Sequence, residues 1–201
     1  MSLSLFDLTG RRALVTGSSQ GIGLALSKGL AAAGAEIVVN GRDAAKLDIL
    51  VNNAGMQQRG PLEEFPADGF ERLLQTNIAS VFHVGQAVAR HMIGRGRGKI
   101  VNICSVQTAL ARPGIAPYTA TKGAVANLTK GMATDWAKYG LQCNGLAPGY
   151  FETPLNQALV DDPEFSAWLA RRTPAGRWGK VEELVGTAIF LASDAYVERP
   201  G

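Results

Sequence analysis

Two cysteines and two histidines are all that 201 residues carry, and that scarcity excludes several kinds of protein at once. Cys104 and Cys143 sit in separate apolar, strand-like runs with no second Cys or His at ligand spacing. Buried reduced thiols suited to a cytoplasm are therefore expected, rather than a metal site or a disulfide. His83 and His91 fall on one helical pattern and read as packing or surface residues. Charge is thin too: 20 Lys and Arg stand against 17 Asp and Glu, a formal net charge of +3, and no basic run exceeds a pair. Neither nucleic acid nor an anionic membrane is expected as a partner. The densest basic stretch, Arg95 to Lys99, reads as a solvated turn entering a strand. No apolar run approaches the roughly 18 residues of a membrane span, and the first residues lack the basic-then-apolar order of an export signal. A cytoplasmic location away from the membrane is the expectation.

Glycine is plentiful, with 24 residues in a composition that is 46% apolar, the profile of a folded domain rich in tight turns. At this length a single domain with one core is expected over residues 1–201. Apolar, β-rich runs at 12–16, 36–40, 48–51, 99–103 and 141–146 alternate with helical periodicities at 21–33, 69–93, 118–139 and 181–192. Strand then helix, repeated, predicts an α/β fold, a doubly wound parallel sheet with ligands bound beyond the carboxyl ends of its strands. One junction breaks the rule. Seven residues separate Asn40 from Asp48, whereas a parallel crossover takes a dozen or more and usually a helix.

The first strand leads into Thr16-Gly17-Ser18-Ser19-Gln20-Gly21-Ile22-Gly23. Such glycines permit a tight turn and let backbone N–H groups meet a pyrophosphate at the helix N-terminus; taken alone, they are also compatible with a packing device. The spacing Gly-x3-Gly-x-Gly is followed by Asn52-Asn53-Ala54-Gly55 after one strand, Ser105 after another, and Tyr118-x3-Lys122 opening a long helix. In wording and order these motifs resemble the short-chain dehydrogenase/reductase family, from Leu8 to about Ala195. The resemblance implies a Rossmann-like sheet and hydride transfer between a nicotinamide cofactor and a hydroxyl or carbonyl carbon of a small substrate.

The residue types rebuild that chemistry. Tyr118 and Lys122, four apart, share a helix face, so the ammonium is expected to lower the phenol pKa from its usual value of about 10. Tyr118 is then the general acid and base, and Ser105 the donor that steadies the reacting oxygen. By resemblance, Lys122 and Tyr118 also contact the cofactor, and Asn77 anchors a water joining Lys122 to solvent. The resemblance further assigns Gly17, Ser19, Gln20, Gly21, Ile22 and Gly23 to the phosphates. Asn53, Ala54 and Gly55 line the cofactor; Pro148 and Gly149 shape the loop beside the nicotinamide; Thr153 bonds its carboxamide or the phosphates. Residues 150–178, punctuated by Pro163 and Pro174, resemble a mobile substrate lid. Arg42 stands near the position where an acid would bond a free 2′-hydroxyl, which favours NADP, while Asp43 and Gln20 keep NAD open.

Segments 5–10, 147–155 and 172–179 resemble the part of the family that interconverts D-gluconate and 5-dehydro-D-gluconate, and imply a homotetramer. Arg59, in the loop after Gly55, suits bidentate binding of the substrate carboxylate; a solvated loop arginine is the alternative. Two other functions share these motifs: reduction of a 3-oxoacyl group on an acyl carrier protein, and a dinucleotide-binding regulator that has lost the reaction. In the family pattern a helix, a strand whose Asp bonds adenine, and a second helix lie between Asn40 and Asp48, and a last strand follows Ala195. Either Lys46 and Leu47 are therefore not covalent neighbours, or the adenine edge of the sheet is absent and open to water.

Overall fold

The runs Ile49–Asn52 and Gly98–Ile103 are buried at every residue, as parallel strands covered on both faces must be. They are β3 and β4 of a five-stranded sheet in a computed structural model that describes residues 3–38 and 47–196. The other strands are β1 (Arg12–Val15), β2 (Glu36–Val38) and β5 (Leu141–Leu146). All pairings are parallel, in the order β2-β1-β3-β4-β5. The α-helices are α1 (Gly21–Ala32), α2 (Ala67–Leu74), α3 (Ser80–Arg95), α4 (Ala116–Trp136), α5 (Gln157–Val160), α6 (Pro163–Arg172) and α7 (Val185–Ala192). Leu26 and Leu30 of α1 pack with Ala188 and Ala192 of α7 on one face. On the other, Val81, Val88 and Met92 of α3 meet Val125 and Met132 of α4. The doubly wound architecture read from the sequence is the architecture observed. Among the described residues no helix is long and apolar enough to cross a membrane.

Polar side chains inside this core decide where α4 sits. Asn52 and Asn102 are partners in the β3–β4 register, and Asn52 Nδ2 donates to Asn102 Oδ1 at 2.9 Å. Asn102 Nδ2 donates in turn to Thr129 Oγ1 of α4 at 2.9 Å, whose hydroxyl donates to Val125 O at 2.7 Å. Asn102 is wholly buried, so each of these groups would be stranded without the others.

Two features differ from the sequence reading, and a third bears on the short junction before Asp48. The single helix expected at 69–93 is α2 and α3 joined through a π-helical turn, Gln75–Ala79; wide turns of this kind recur at functional sites, and Asn77 lies in this one. Lys99 belongs to no solvated turn: it is buried in β4, where its ammonium donates to Gln142 Oε1 and, at 2.7 Å, to Tyr196 O. Arg95 and Arg97 face the buried Asp48 carboxylate at 3.8 and 3.9 Å, and that carboxylate also accepts from Arg12 N at 3.0 Å. Finally, β1 pairs with β2 on one side and β3 on the other, and among the described residues no strand lies outside β2. The strand that the family pattern places on the adenine side is thus not found among the described residues. Lys46 and its join to Leu47 lie outside the described residues, as do Gly41, Arg42, Asp43 and residues 197–201.

Removing the central member of the amide chain tests its importance. Asn102→Ala should lower unfolding free energy by about 3 kcal/mol, combining a small cavity with stranded partners. Urea denaturation should show a lower midpoint at unchanged slope; a loss under about 1 kcal/mol would mean the chain of amides does not hold α4.

Candidate active site

A cavity of about 500 Å³ opens where β1, β3, β4 and β5 end, the position at which parallel α/β sheets bind ligands. Its first wall is the glycine turn. Gly17 has φ +64°, and a Cβ there would lie 2.9 Å from Ala54 Cα, so no side chain separates the two loops. Gly21, at φ +54°, begins α1, and a Cβ there would lie 3.5 Å from Pro154 Cδ and 3.7 Å from Thr153 Cβ. Ser19, Gln20 and Ile22 line the same wall. Gly23 does not: a Cβ there would meet Gly17 O at 2.3 Å, so this glycine lets the helix close on the loop and is not itself a cavity residue. Gln20, the N-cap of α1, makes no side-chain capping bond, which leaves the positive helix end to other acceptors. Thr153 is buried and its Oγ1 lacks a partner. An uncapped helix end, a cradle that Cβ atoms would fill and an unpaired hydroxyl beside it fit the diphosphate of a dinucleotide.

Asn53 and Ala54 face the cavity, but the Asn53 side chain serves the turn, donating to Thr16 O at 3.0 Å and Gly17 O at 3.1 Å. Both backbone N–H groups donate to Thr16 Oγ1 at 3.0 Å. The ends of β1 and β3 are thus tied together before any ligand is considered.

Ser105 lies two residues beyond β4, and Tyr118 and Lys122 occupy the first turns of α4; all three line the cavity. Ser105 is also a helix cap, its Oγ accepting from Gln107 N at 3.2 Å. That bond leaves its proton for the Tyr118 phenol, where the Ser105 hydrogen bond favours the charged form. The expected lowering of the phenol pKa by Lys122 is not found. Burial pushes Tyr118 above its usual range and outweighs the Ser105 bond. The Lys122 ammonium instead donates to Ile103 O at 2.7 Å, 5.8 Å from the Tyr118 ring centre, and burial depresses its own pKa to about 8. Asn77 lies outside the cavity wall. Its Oδ1 accepts from Met56 N at 2.8 Å, and its Nδ2 donates to Met56 O at 3.0 Å and Thr121 Oγ1 at 3.1 Å. Thr121 Oγ1 donates to Tyr118 O at 2.8 Å. Gly55 packs between the Asn77 amide and the Lys122 ammonium, a Cβ there lying 3.4 and 3.9 Å from them.

Pro148 and Gly149 line the far side, and the chain beyond them folds back: Gly179 N donates to Tyr150 O, and Glu152 N to Gly179 O, both at 2.9 Å. Tyr150, itself in the wall, meets Trp168 and Trp178 edge to face and Phe165 at a tilt. Arg59 is exposed and not part of the wall; its guanidinium donates to Gln57 Oε1 at 3.2 Å and Leu155 O at 3.4 Å. Gln107 and Arg112 are among the wall residues that carry no motif and escape a sequence reading.

The family model of short chain dehydrogenases matches residues 11–47 and 42–164, in two pieces that meet at the junction singled out by strand spacing. Gluconate 5-dehydrogenase of Gluconobacter oxydans is 58% identical over 232 residues, spanning 95% of this chain and 91% of the relative. That span exceeds the 201 residues present, so the relative carries residues with no counterpart here. 5-Keto-D-gluconate 5-reductase of Escherichia coli is 42% identical with the same coverage. The crystal structure of a gluconate 5-dehydrogenase from Burkholderia cenocepacia, in complex with NADP and tartrate, superimposes with a TM-score of 0.93 at 55% identity, over 97% of this chain and 92% of the other.

The Lys122 environment makes a signed prediction. A lysine whose folded pKa is about 8 and whose unfolded pKa is about 10.4 is protonated in both states below pH 8, so its burial penalty is then constant. Between the two values only the unfolded chain holds the proton, and stability rises with pH by roughly 1.4 kcal/mol per unit. Stability of the protein minus that of Lys122→Met should therefore climb by about 3 kcal/mol across that window and be flat outside it. A flat difference throughout would contradict the burial of a charged lysine.

Proposed function

The chain belongs to the short chain dehydrogenase family, and on that premise we propose that it moves a hydride between NADP(H) and the hydroxyl-bearing or keto carbon of a sugar acid, D-gluconate and 5-dehydro-D-gluconate. The observation that carries the reading is that Ser105, Tyr118 and Lys122 line one cavity together with the glycine turn, Ser105 near enough to the phenol to favour its charged form. Gly17, Ser19, Gly21 and Thr153 would hold the phosphates, and Asn53, Ala54, Gly55, Pro148 and Gly149 would flank the nicotinamide half; NADP supplies the hydride acceptor or donor. Arg42, outside the described residues, and the NADP-bound relative support the phosphorylated cofactor over NAD.

In the oxidising direction Tyr118 takes the substrate hydroxyl proton as hydride leaves the carbon, and in reduction it returns that proton to the oxygen. Ser105 turns its single hydroxyl proton to the substrate oxygen at the same point. Lys122 holds its charge behind the tyrosine through Ile103 O, and Asn77 positions the turn that carries both. Burial of the phenol keeps Tyr118 protonated, so its ground state is set for reduction, and the approach of Lys122 is what the oxidising direction requires. Residues 150–178 act as the lid, and Arg59 at the rim attracts the carboxylate. The reading places the enzyme in the cytoplasm as a homotetramer built from one domain over residues 1–201.

The test is NADPH consumption with 5-dehydro-D-gluconate beside an acetoacetyl thioester. Turnover of the sugar acid is expected, and Tyr118→Phe should lower kcat by roughly 10²- to 10⁴-fold while NADPH fluorescence titration shows unchanged binding. Comparable kcat in the variant would overturn the role of Tyr118, and turnover of the thioester alone would overturn the substrate.

A further inference from the structure

The cavity wall contains no Asp or Glu, yet it carries Arg112 as well as Lys122. Arg112 is held without a carboxylate. It lies over the Phe165 ring of α6, 5.3 Å from its centre, and donates a long hydrogen bond from Nη1 to Pro113 O at 3.4 Å. Its Nε is buried and has no acceptor. Among the described residues it forms no ion pair, and Arg59 is near enough for the two guanidinium groups to oppose one another. A buried, unpaired guanidinium donor beside a second cation is costly unless an anion completes it.

Gln107 stands next to this in the wall. It is 6% exposed, and its Nε2 is engaged with the Tyr150 hydroxyl at 3.2 Å, while its Oε1 is buried with no donor. A side-chain amide with one end fixed and the other unsatisfied accepts a hydroxyl of a ligand at a set position. Cation and acceptor thus adjoin Ser105 and Tyr118 in one wall, with Tyr150 linking them to the aromatic residues of the lid.

We propose that Arg112 is the seat of the substrate carboxylate, with Arg59 as a second cation at the rim, and that Gln107 Oε1 accepts a neighbouring hydroxyl of the polyol. This rests on the sugar-acid reading above and deepens it: a guanidinium fork reads a planar carboxylate at two points, so the chain selects hydroxy acids over neutral polyols of the same length. It also couples binding to the lid, because the guanidinium that takes the carboxylate lies over Phe165.

Two measurements test it. In turnover, Arg112→Met should raise KM for D-gluconate by roughly 10- to 100-fold, the range for a lost charge-assisted hydrogen bond, with kcat within a few-fold and NADPH binding unchanged. Arg112→Lys should recover part of the loss, and Arg59→Met should lose less. The ratio of kcat/KM for D-gluconate over its neutral amide should collapse in Arg112→Met; an unchanged ratio would overturn the assignment. The second arm needs no turnover: calorimetry with tartrate should show binding to the protein that Arg112→Met abolishes and Gln107→Leu weakens. If the protein turned over no sugar acid, the functional reading would fail, but tartrate binding lost with Arg112 would still uphold an anion seat. Tartrate binding that is indifferent to Arg112, or absent from the unsubstituted protein, would overturn it.

Discussion

The site depends on how α4 is held against the carboxyl ends of β3 and β4. Asn102 is the centre of that attachment: wholly buried, it takes a hydrogen bond from Asn52 across the strand pair and gives one to Thr129 of the helix. About two turns nearer the cavity, Lys122 donates to Ile103 O. These bonds join the strand that leads into Ser105 to the helix that carries Tyr118. The distance between the two hydroxyls is thereby a property of the core, not of a loop. Buried polar groups of this kind contribute to uniqueness because any other placement of α4 would strand them.

A second constraint is electrostatic. Lys122 and Arg112 are drawn out of water in a wall that holds no acid, and both α1's uncapped N-terminus and the unpaired Thr153 hydroxyl point to the same need. The protein carries these desolvated donors in exchange for a site in which anions are strongly held. Burial acts on Tyr118 in the opposite sense, keeping the phenol neutral. A neutral acid among cations suits the donation of a proton to a developing alkoxide.

Much of this was legible in the chain. All five strands were visible as apolar runs, β3 and β4 most plainly, since a strand buried on both faces leaves a continuous signature. The glycine turn, Ser105, Tyr118 and Lys122 announced themselves by type and order. What the residues did not announce depends on contacts made at a distance. The π-helical turn at Gln75–Ala79 is invisible to a helical period that runs on through it, and Asn77 acts by bonding Met56 and Thr121 rather than by entering the cavity. Gly23 reads as part of a phosphate motif, yet its closest neighbour is the backbone of Gly17. Lys99 looks solvated until β5 and Tyr196 close over it. Gln107 and Arg112 belong to no motif, and only the folding back of the loop after β4 brings them to the wall. The short link between β2 and β3 was legible as a spacing that no helical crossover fits, and among the described residues β2 is the outer strand.

The central claim is that hydride and proton meet at one carbonyl group in this cavity, with Tyr118 as the proton's source. Deuterium transfer tests it most directly: the protein is given NADPH deuterated at the transferable position together with 5-dehydro-D-gluconate, and the product is analysed by mass spectrometry and proton NMR. The account predicts one deuteron on the carbon that bore the ketone, in a single configuration, and the same labelled product formed roughly 10²- to 10⁴-fold more slowly when Tyr118 is replaced by Phe. Product without the label, or label scattered over both configurations, would contradict it.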